Sequence, residues 1–336
     1  MKELAPLNVA LIGLGRAGQF QLESIRALPE VTLKYAIDTN LDRANEVASE
    51  FGCGAISSPE QAYSDDRVDA VIVATPTGEH YGQILASLNA GKAVFTEKPL
   101  GKGIEEIDAC FQLADEKSTP LFVGFNRRFD PSHARVAREV AEGSIGQLQM
   151  LRLTSRDSPL PSIDYIKTSH GIFHDCIVHD LDMARFIARE DPIEVYSIGS
   201  NFNSDIEATG DLDNVVVTLR FASGLLASID VNRFSAYGYD QRIEAFGDRG
   251  MLQSENRLQD ATLLSTEAGL RRPAIEFSFP QRYREAYLRE LRSFARCVRQ
   301  GDELPITYQD VRMSYLLSDL AERSFRERKP LPVPSQ

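Results

Sequence analysis

Asp175 and His179 stand four residues apart in Ser169-His170-Gly171-Ile172-Phe173-His174-Asp175-Cys176-Ile177-Val178-His179-Asp180. The stretch follows a polar loop and opens an apolar-periodic run, the pattern of a helix start. Residues at i and i+4 leave one helix face together, which would set a carboxylate beside an imidazole. The carboxylate can orient the ring, and the ring can then move a proton near neutral pH. On its own the pair reads more readily as a structural hydrogen bond. Two earlier signatures raise its weight.

The first is Gly13-Leu14-Gly15-Arg16-Ala17-Gly18, a G-x-G-x-x-G loop between the apolar run Val9–Ile12 and a helical spacing over Ala17–Leu28. In that context Gly13 permits a tight turn, Gly15 lets the backbone approach a pyrophosphate, and Gly18 lets the helix pack on the strand. The helix N-terminus offers unpaired N–H groups to the phosphates. Asp38 lies at the end of the next strand, Val31–Ile37, placed to accept from an adenosine ribose and to repel a 2′-phosphate. Thr39 and Asn40 follow it with no adjacent Arg or Lys, so NAD is favoured over NADP. The second signature is Glu97-Lys98-Pro99 after the strand Ala93–Thr96. Strand C-termini in such sheets open on the cofactor crevice, and Lys98 would sit where the nicotinamide ends.

The surrounding elements alternate. Leu41–Phe51 reads as a helix closed by Gly52. Ser58-Pro59-Glu60-Gln61 reads as a helix start, with Ser58 as cap, Pro59 first, and Gln61 reaching back. Ala70–Thr75 and Leu121–Phe125 are strands; Gly78–Ala90 and Ile104–Glu116 are helices. Repeated strand–helix order argues for a parallel sheet covered on both sides. Later, Leu148–Thr154, Val195–Gly199, Val215–Phe221, Leu225–Val231 and Arg242–Phe246 are β-rich and partly alternating. The helix Ile172–Ala188 interrupts them, and helices near Tyr283–Arg299 and Tyr308–Glu327 finish the chain. The fold class is therefore α/β: a doubly wound parallel sheet, then an α+β domain with an open sheet. The boundary is expected at 125/126, with the final helices able to return to the first domain.

Composition sets outer bounds. The 336 residues carry 37 basic and 49 acidic groups, a net charge of −12, and are 43% hydrophobic. That allows one large or two medium domains. The acidic balance argues against nucleic acid and anionic membranes as partners. Cys53, Cys110, Cys176 and Cys297 are scattered, giving no disulfide framework and no zinc pattern. No stretch suits a signal peptide or a membrane span, so the cytoplasm is the expected location.

Together GLGRAG, ATPTGEH (Ala74–His80), AGKAVFTEKPL (Ala90–Leu100), GFNRRFDPS (Gly124–Ser132) and HGIFHDCIVHDLDMARF (His170–Phe186) resemble the glucose–fructose oxidoreductase / inositol dehydrogenase / MocA-like family. The resemblance runs from about Asn8 to about Glu327 and is strongest to its inositol 2-dehydrogenases. It implies a Rossmann domain and a second domain whose open sheet makes a homodimer or homotetramer. It implies a catalytic trio of Lys98, Asp175 and His179. It sets Arg127, Asp157 and Tyr237 on the substrate, together with the trio. It places Gly13, Gly15, Arg16, Ala17, Gly18, Asp38, Thr75, Pro76, His80, Glu97 and Lys98 around the cofactor. One departure is His170-Gly171, where the family usually has Gly-Gly.

The implied reaction oxidises a secondary alcohol of a cyclic polyol, such as myo- or scyllo-inositol, with hydride passing to NAD and His179 as base. The alternatives are another sugar, an amino sugar or a trans-dihydrodiol as substrate, or a non-catalytic NAD-binding regulator. The regulator reading suffers because both Lys98 and His179 are retained. A metal held by His170, His174, His179 and Asp175 is a weaker reading, and no metal is expected. The bland readings are His133 on the surface, Arg127 and Arg128 as a solvated pair, Tyr237 and Tyr239 as core aromatics, His80 as a structural residue, and Asp182 as a helix brace.

Overall fold

Short, largely apolar strands alternate with helices through the first third of the chain. In a computed structural model that describes residues 5–334, they form β1 (Leu7–Ile12), α1 (Arg16–Ala27), β2 (Val31–Ile37), α2 (Leu41–Phe51), β3 (Gly54–Ile56), α3 (Glu60–Ser64), β4 (Ala70–Val73), α4 (Thr77–Asn89), β5 (Ala93–Glu97), α5 (Ile104–Lys117) and β6 (Leu121–Gly124). The strands pair in parallel in the order β3-β2-β1-β4-β5-β6. This is the doubly wound order, whose crevice opens between β1 and β4 at their C-terminal ends. All four residues of β4 are buried, as a strand covered on both faces must be.

The chain then continues as α6 (Pro131–Ala141), β7 (Leu148–Arg156), α7 (Ile163–Thr168), a π-helical turn at Phe173–Ile177, α8 (Val178–Ala188), β8 (Pro192–Ser200), α9 (Ser204–Glu207), β9 (Asn214–Phe221), β10 (Leu226–Asn232), β11 (Asp240–Gly247), β12 (Gly250–Ser254), a small hairpin of β13 (Leu264–Thr266) and β14 (Gly269–Arg271), α10 (Phe279–Gln300), α11 (Tyr308–Glu327) and β15 (Leu331–Pro332). Two units result. One comprises residues 1–129 and 284–312, and the other residues 130–283 and 313–336. Both α10 and α11 therefore belong partly to each unit.

In the first unit Phe294 of α10 packs edge-on against Phe95 (5.7 Å) and Phe122 (5.8 Å). In the second, the sheet order is β12-β11-β7-β10-β9-β8-β15. Its pairs are antiparallel except β7–β10, which is parallel. Alternation sends Leu151, Leu153, Val215, Val217, Ile229 and Ile243 inward, where they pack with Leu181, Ile187, Met313 and Leu317. The opposite face carries Met251, Phe246, Met150 and Leu226 in register across four strands, each about half exposed.

Several local readings need correcting. The run Ile172–Ala188 does not open as an α-helix: its first turn is the π turn. Pro59 occupies the N-cap position of α3 rather than its first helical position, and no side chain caps that end. Ser58 bonds the Glu60 carboxylate instead, which holds that group below its usual range. His133 is not on the surface: it is buried, with Nε2 3.5 Å from Arg282. Arg127 and Arg128 are buried, not solvated. No described helix is long and apolar enough to cross a membrane.

Candidate functional site: a dinucleotide cradle and an acid–imidazole turn

The glycine loop occupies the β1–β4 switch point, and each glycine is there for a different reason. Gly13 has φ +89°, and a Cβ on it would lie 2.6 Å from the Ala74 carbonyl oxygen. A Cβ on Gly18 would lie 2.1 Å from the Gly13 carbonyl oxygen. A Cβ on Gly15 would meet nothing within 4 Å. Gly15 is also the N-cap of α1, which has no side-chain cap and no acidic residue in its first turn. Arg16 and Ala17 open that turn. The loop thus presents open space and uncapped backbone N–H groups to an anion, the donor set a pyrophosphate needs. Across the crevice the Thr75 hydroxyl oxygen is buried without a hydrogen-bond partner among the described residues. An NAD diphosphate fits this cradle in charge and in room.

Asp38 braces the loop: its carboxylate accepts from Leu14 N (2.8 Å) and Asn40 N (2.9 Å). Each oxygen has further lone-pair capacity for a ribose hydroxyl. The absence of a cation next to Asp38 in sequence is only part of the picture. α2 carries Arg43 back to the loop, where Nε donates to Leu14 O (3.4 Å) and Nη2 to Gln19 Oε1 (3.0 Å). Its Nη1 pairs with the exposed Glu46 at 3.0 Å.

His80, three residues into α4 from Thr77, is buried. Its Nδ1 lies 2.8 Å from Pro99 O and its Nε2 2.7 Å from Thr75 O. It ties the loop after β4, with Thr75 and the α4 N-cap Pro76, to the Glu-Lys-Pro segment after β5. Burial holds the imidazole below its usual pKa, against the pull of the two carbonyls. At the end of β5, Glu97 accepts from Gln21 Nε2 at 2.7 Å, and burial pushes its carboxyl up to about 7. Glu290 of α10 is fully buried beside it, and neither of its oxygens has a partner among the described residues. Burial, then the Glu97 charge, holds Glu290 well above the carboxylate range. Lys98 follows Glu97 and is half-buried. Arg127 lies in the short 3₁₀ turn Asn126–Phe129 after β6. Arg128 in the same turn pairs with Asp310 at 3.0 Å.

In the second unit, a π turn carries Asp175 and α8 carries His179. The wider i→i+5 turn brings residues four apart closer to one line than the ordinary turn of about 3.6 residues. Asp175 Oδ1 accepts from Tyr165 OH (2.8 Å), and Oδ2 from Arg233 Nη1 (3.1 Å). Burial, then the Asp175 charge, raises the Tyr165 pKa, so the phenol remains a donor. His179 is half-buried. Asp157 lies beyond β7, its N–H donating to Asn232 O (2.9 Å) and its carbonyl accepting from Ser235 N (2.7 Å). Cys176 Sγ is 4.0 Å from Asp157 Oδ2, so Asp157 belongs to the same neighbourhood as the turn.

The two tyrosines diverge. Tyr239 is core, at 5.8 Å from the Tyr283 ring. Tyr237 is about half exposed, bonded to Asp240 (2.5 Å) and Arg156 (3.1 Å). Asp182 bonds Ser314 at 3.3 Å and braces the helix. His174 turns to Asp319 (3.1 Å) and the Tyr315 ring (4.7 Å). His170 is exposed with φ +65°. No group of three or more His, Cys, Asp or Glu suited to a metal ion occurs among the described residues.

Sequence reasoning missed the groups that hold the turn. Arg233 and Asp211 lie far from it in the chain, and Arg233 follows an alternating strand, so nothing marked it as buried. Glu290 was lost among the charges of α10.

The fold and the cradle define a dinucleotide-binding oxidoreductase. Residues 7–125 match the oxidoreductase family with an NAD-binding Rossmann fold named for glucose–fructose oxidoreductase, inositol dehydrogenase and MocA. Residues 133–253 match that family's C-terminal domain. The chain belongs to this family and is an NAD-dependent oxidoreductase. It is 38% identical to the myo-inositol 2-dehydrogenase of Thermotoga maritima, over 97% of this chain and 98% of that one. It is similar to the crystal structure of a myo-inositol dehydrogenase from Corynebacterium glutamicum (TM-score 0.93, 34% identity, 98% and 100% covered). It is also similar to the scyllo-inositol dehydrogenase of Lactobacillus casei with bound NAD(H) and scyllo-inositol (TM-score 0.91, 26% identity, 98% and 100% covered).

Proposed function

We propose that the chain oxidises a secondary alcohol of an inositol to the ketone, with His179 as general base. The observation that carries this reading is the presence, in one NAD-dependent oxidoreductase, of Lys98 directly after β5 and of Asp175 and His179 four residues apart across the π turn and the start of α8. Inositol dehydrogenases are its relatives along nearly the whole chain.

In this reading NAD, when bound, accepts the hydride at the nicotinamide ring. The chain supplies position and field. Gly13, Gly15, Arg16, Ala17 and Gly18 hold the diphosphate, with Thr75, Pro76, His80 and Glu97 completing the crevice. Asp38 holds the adenosine ribose and disfavours a 2′-phosphate. His179 takes the hydroxyl proton. Asp175 fixes the ring and stabilises the imidazolium that forms. Lys98, as a cation, stabilises the oxygen as negative charge develops on it. Arg127, Asp157 and Tyr237 are assigned to the other hydroxyls.

A positioned base contributes roughly 10²–10⁴ in rate. His179→Ala is therefore expected to lower kcat on myo- or scyllo-inositol by that range while NAD affinity, read by fluorescence titration, stays within about twofold. Wild-type turnover in that variant refutes the assignment. A panel of inositol isomers and aldoses, read by absorbance of reduced cofactor, identifies the substrate. Turnover of an aldose but of no inositol refutes the polyol assignment.

The half-exposed row Met251–Phe246–Met150–Leu226 supports a second copy of the chain as cover for the open sheet face. The protein is proposed to be a homodimer or homotetramer through that face. Phe246→Lys is expected to shift its mass in light scattering toward the monomer, and a monomeric wild-type protein refutes the assignment.

A further inference from the structure

Arg233 is sealed inside the second unit, with 0% of its surface exposed. A buried cation persists only when paired and hydrogen-bonded. Arg233 leaves β10, and its N–H donates to Asp213 O at 2.8 Å. Its Nε donates to Leu212 O (3.3 Å), its Nη1 to Asp175 Oδ2 (3.1 Å), and its Nη2 to Asp211 Oδ2 (2.6 Å). The other oxygen of Asp211 accepts from Ile172 N at 2.9 Å. One arginine and one aspartate thus grip the π turn at two points: its N-cap residue Ile172 through Asp211, and its central residue Asp175 through Arg233.

The ring of contacts closes on charge as well as on geometry. Asp175 and Asp211 both pair with the Arg233 cation, so these three groups together carry one negative charge. Tyr165 from α7 and Cys176 within the turn are further titratable groups in contact with Asp175, and Asp157 after β7 lies 4.0 Å from Cys176 Sγ. Asp180 and Asp182 of α8 are directed to Ser155 and Ser314 instead. His174 points to Asp319 and Glu322 of α11.

We propose that Arg233 and Asp211 are positioning residues for the acid–imidazole couple: they fix the Asp175 carboxylate and, through its charge balance, set the basicity of His179. This rests on the roles assigned above to Asp175 and His179. Neither residue touches the substrate in this scheme.

The two residues act with opposite sign. Removing the Arg233 charge leaves two aspartates uncompensated near His179, so its imidazolium is favoured and its pKa rises. Removing the Asp211 charge leaves the Asp175–Arg233 pair neutral, one negative charge fewer around the turn, so the pKa falls. A purely structural brace gives no such pair of opposite shifts.

The test titrates the ring protons of the five histidines by NMR in the protein without cofactor, with His179 assigned from the His179→Gln spectrum. Asp211→Asn keeps an oxygen for Ile172 N and removes only charge. It is expected to lower the His179 pKa by about half a unit to one unit. Arg233→Met is expected to raise it by a similar amount. Arg233→Lys keeps the charge and loses the two-pronged bridge, so its His179 pKa should move by under about 0.3 units while kcat falls about tenfold or more. KM for NAD should remain near wild type throughout. Should Arg233→Met fail to fold, the Asp211→Asn shift and the Lys variant still decide.

Equal shifts of one sign, or unshifted His179 with lowered melting temperatures alone, overturn the proposal. The His179→Gln variant separates the two levels. Full turnover in it refutes the base assignment itself. Its inactivity, combined with wild-type titration and turnover in the Arg233 and Asp211 variants, refutes only the positioning role.

Discussion

Gly15→Ala and Gly18→Ala should separate ligand space from packing space within one loop. At Gly15 the backbone has φ −74°, and an added Cβ meets nothing within 4 Å. Reduced freedom of the unfolded chain favours alanine there by about 0.4–1 kcal/mol. Alanine is a poorer N-cap than glycine by roughly the same amount. The two cancel, so the melting temperature should move by no more than a few degrees. The methyl group, however, points into the space assigned to the diphosphate. Loss of one charge-assisted N–H···phosphate bond costs about 1.5–3 kcal/mol, or roughly 10- to 150-fold in Kd.

Gly18 behaves in reverse. An added Cβ would lie 2.1 Å from the Gly13 carbonyl oxygen, a backbone atom that cannot swing aside. Forced overpacking costs about 1–3 kcal/mol or more, visible as a lower melting temperature with or without NAD. Thermal melts and calorimetric NAD titrations read both outcomes. Unchanged NAD affinity in Gly15→Ala refutes the passage of the diphosphate over that residue. Unchanged stability in Gly18→Ala refutes the packing argument.

Three further outcomes are expected. Glu290→Gln should stabilise the protein, and increasingly so as pH rises. The folded-state pKa of Glu290 is raised, so above the unfolded pKa of about 4.3 the folded state alone keeps the proton. Stability is then lost by up to about 1.4 kcal/mol per pH unit until the folded pKa is reached. Melts of both proteins at pH 5 and pH 8 check this, and an equal difference at both refutes it. Asp130→Ala leaves Arg282, 1% exposed, without its carboxylate. A cost of about 3–5 kcal/mol follows, read by denaturant unfolding. Asp38→Ala removes an acceptor for Leu14 N and the charge assigned to repelling a 2′-phosphate. NAD affinity should fall about tenfold or more while NADP affinity holds or rises, and an unaltered preference in titrations with both cofactors refutes that assignment.

The alternating first third was readable because β1, β4, β5 and β6 are buried on both faces and the longer helices on one, so periodicity carries the topology. Val31–Ile37 and Leu41–Phe51 emerge with the expected ends, the latter closed by Gly52 at φ +67°. The π turn was not readable, because Phe173–Ile177 has ordinary helical composition. Its extra residue is accommodated where Asp211 and Arg233, distant in sequence, hold the backbone and Asp175. The burial of His133 was hidden for the same reason. The residue sits in the first turn after Asp130-Pro131-Ser132, and its enclosing partner Arg282 arrives 149 residues later. The strands beside the open face were found by alternation, but the parallel β7–β10 pair was not, since alternation says nothing of strand direction. The candidate chemistry was legible as motifs; the groups that tension it were not, because salt bridges between remote segments leave no local pattern.

Phe294 packs against Phe95 and Phe122, so most of the chain has been synthesised before this part of the first sheet is covered. Until residues 284–312 emerge, the nascent Rossmann sheet leaves an aromatic flank uncovered, for a chaperone to shield or for another nascent chain to meet. The earliest-translated third of the chain thus has its complete set of packing partners only once residues 284–312 have been made. A gene fragment ending at residue 129 should accordingly yield aggregate.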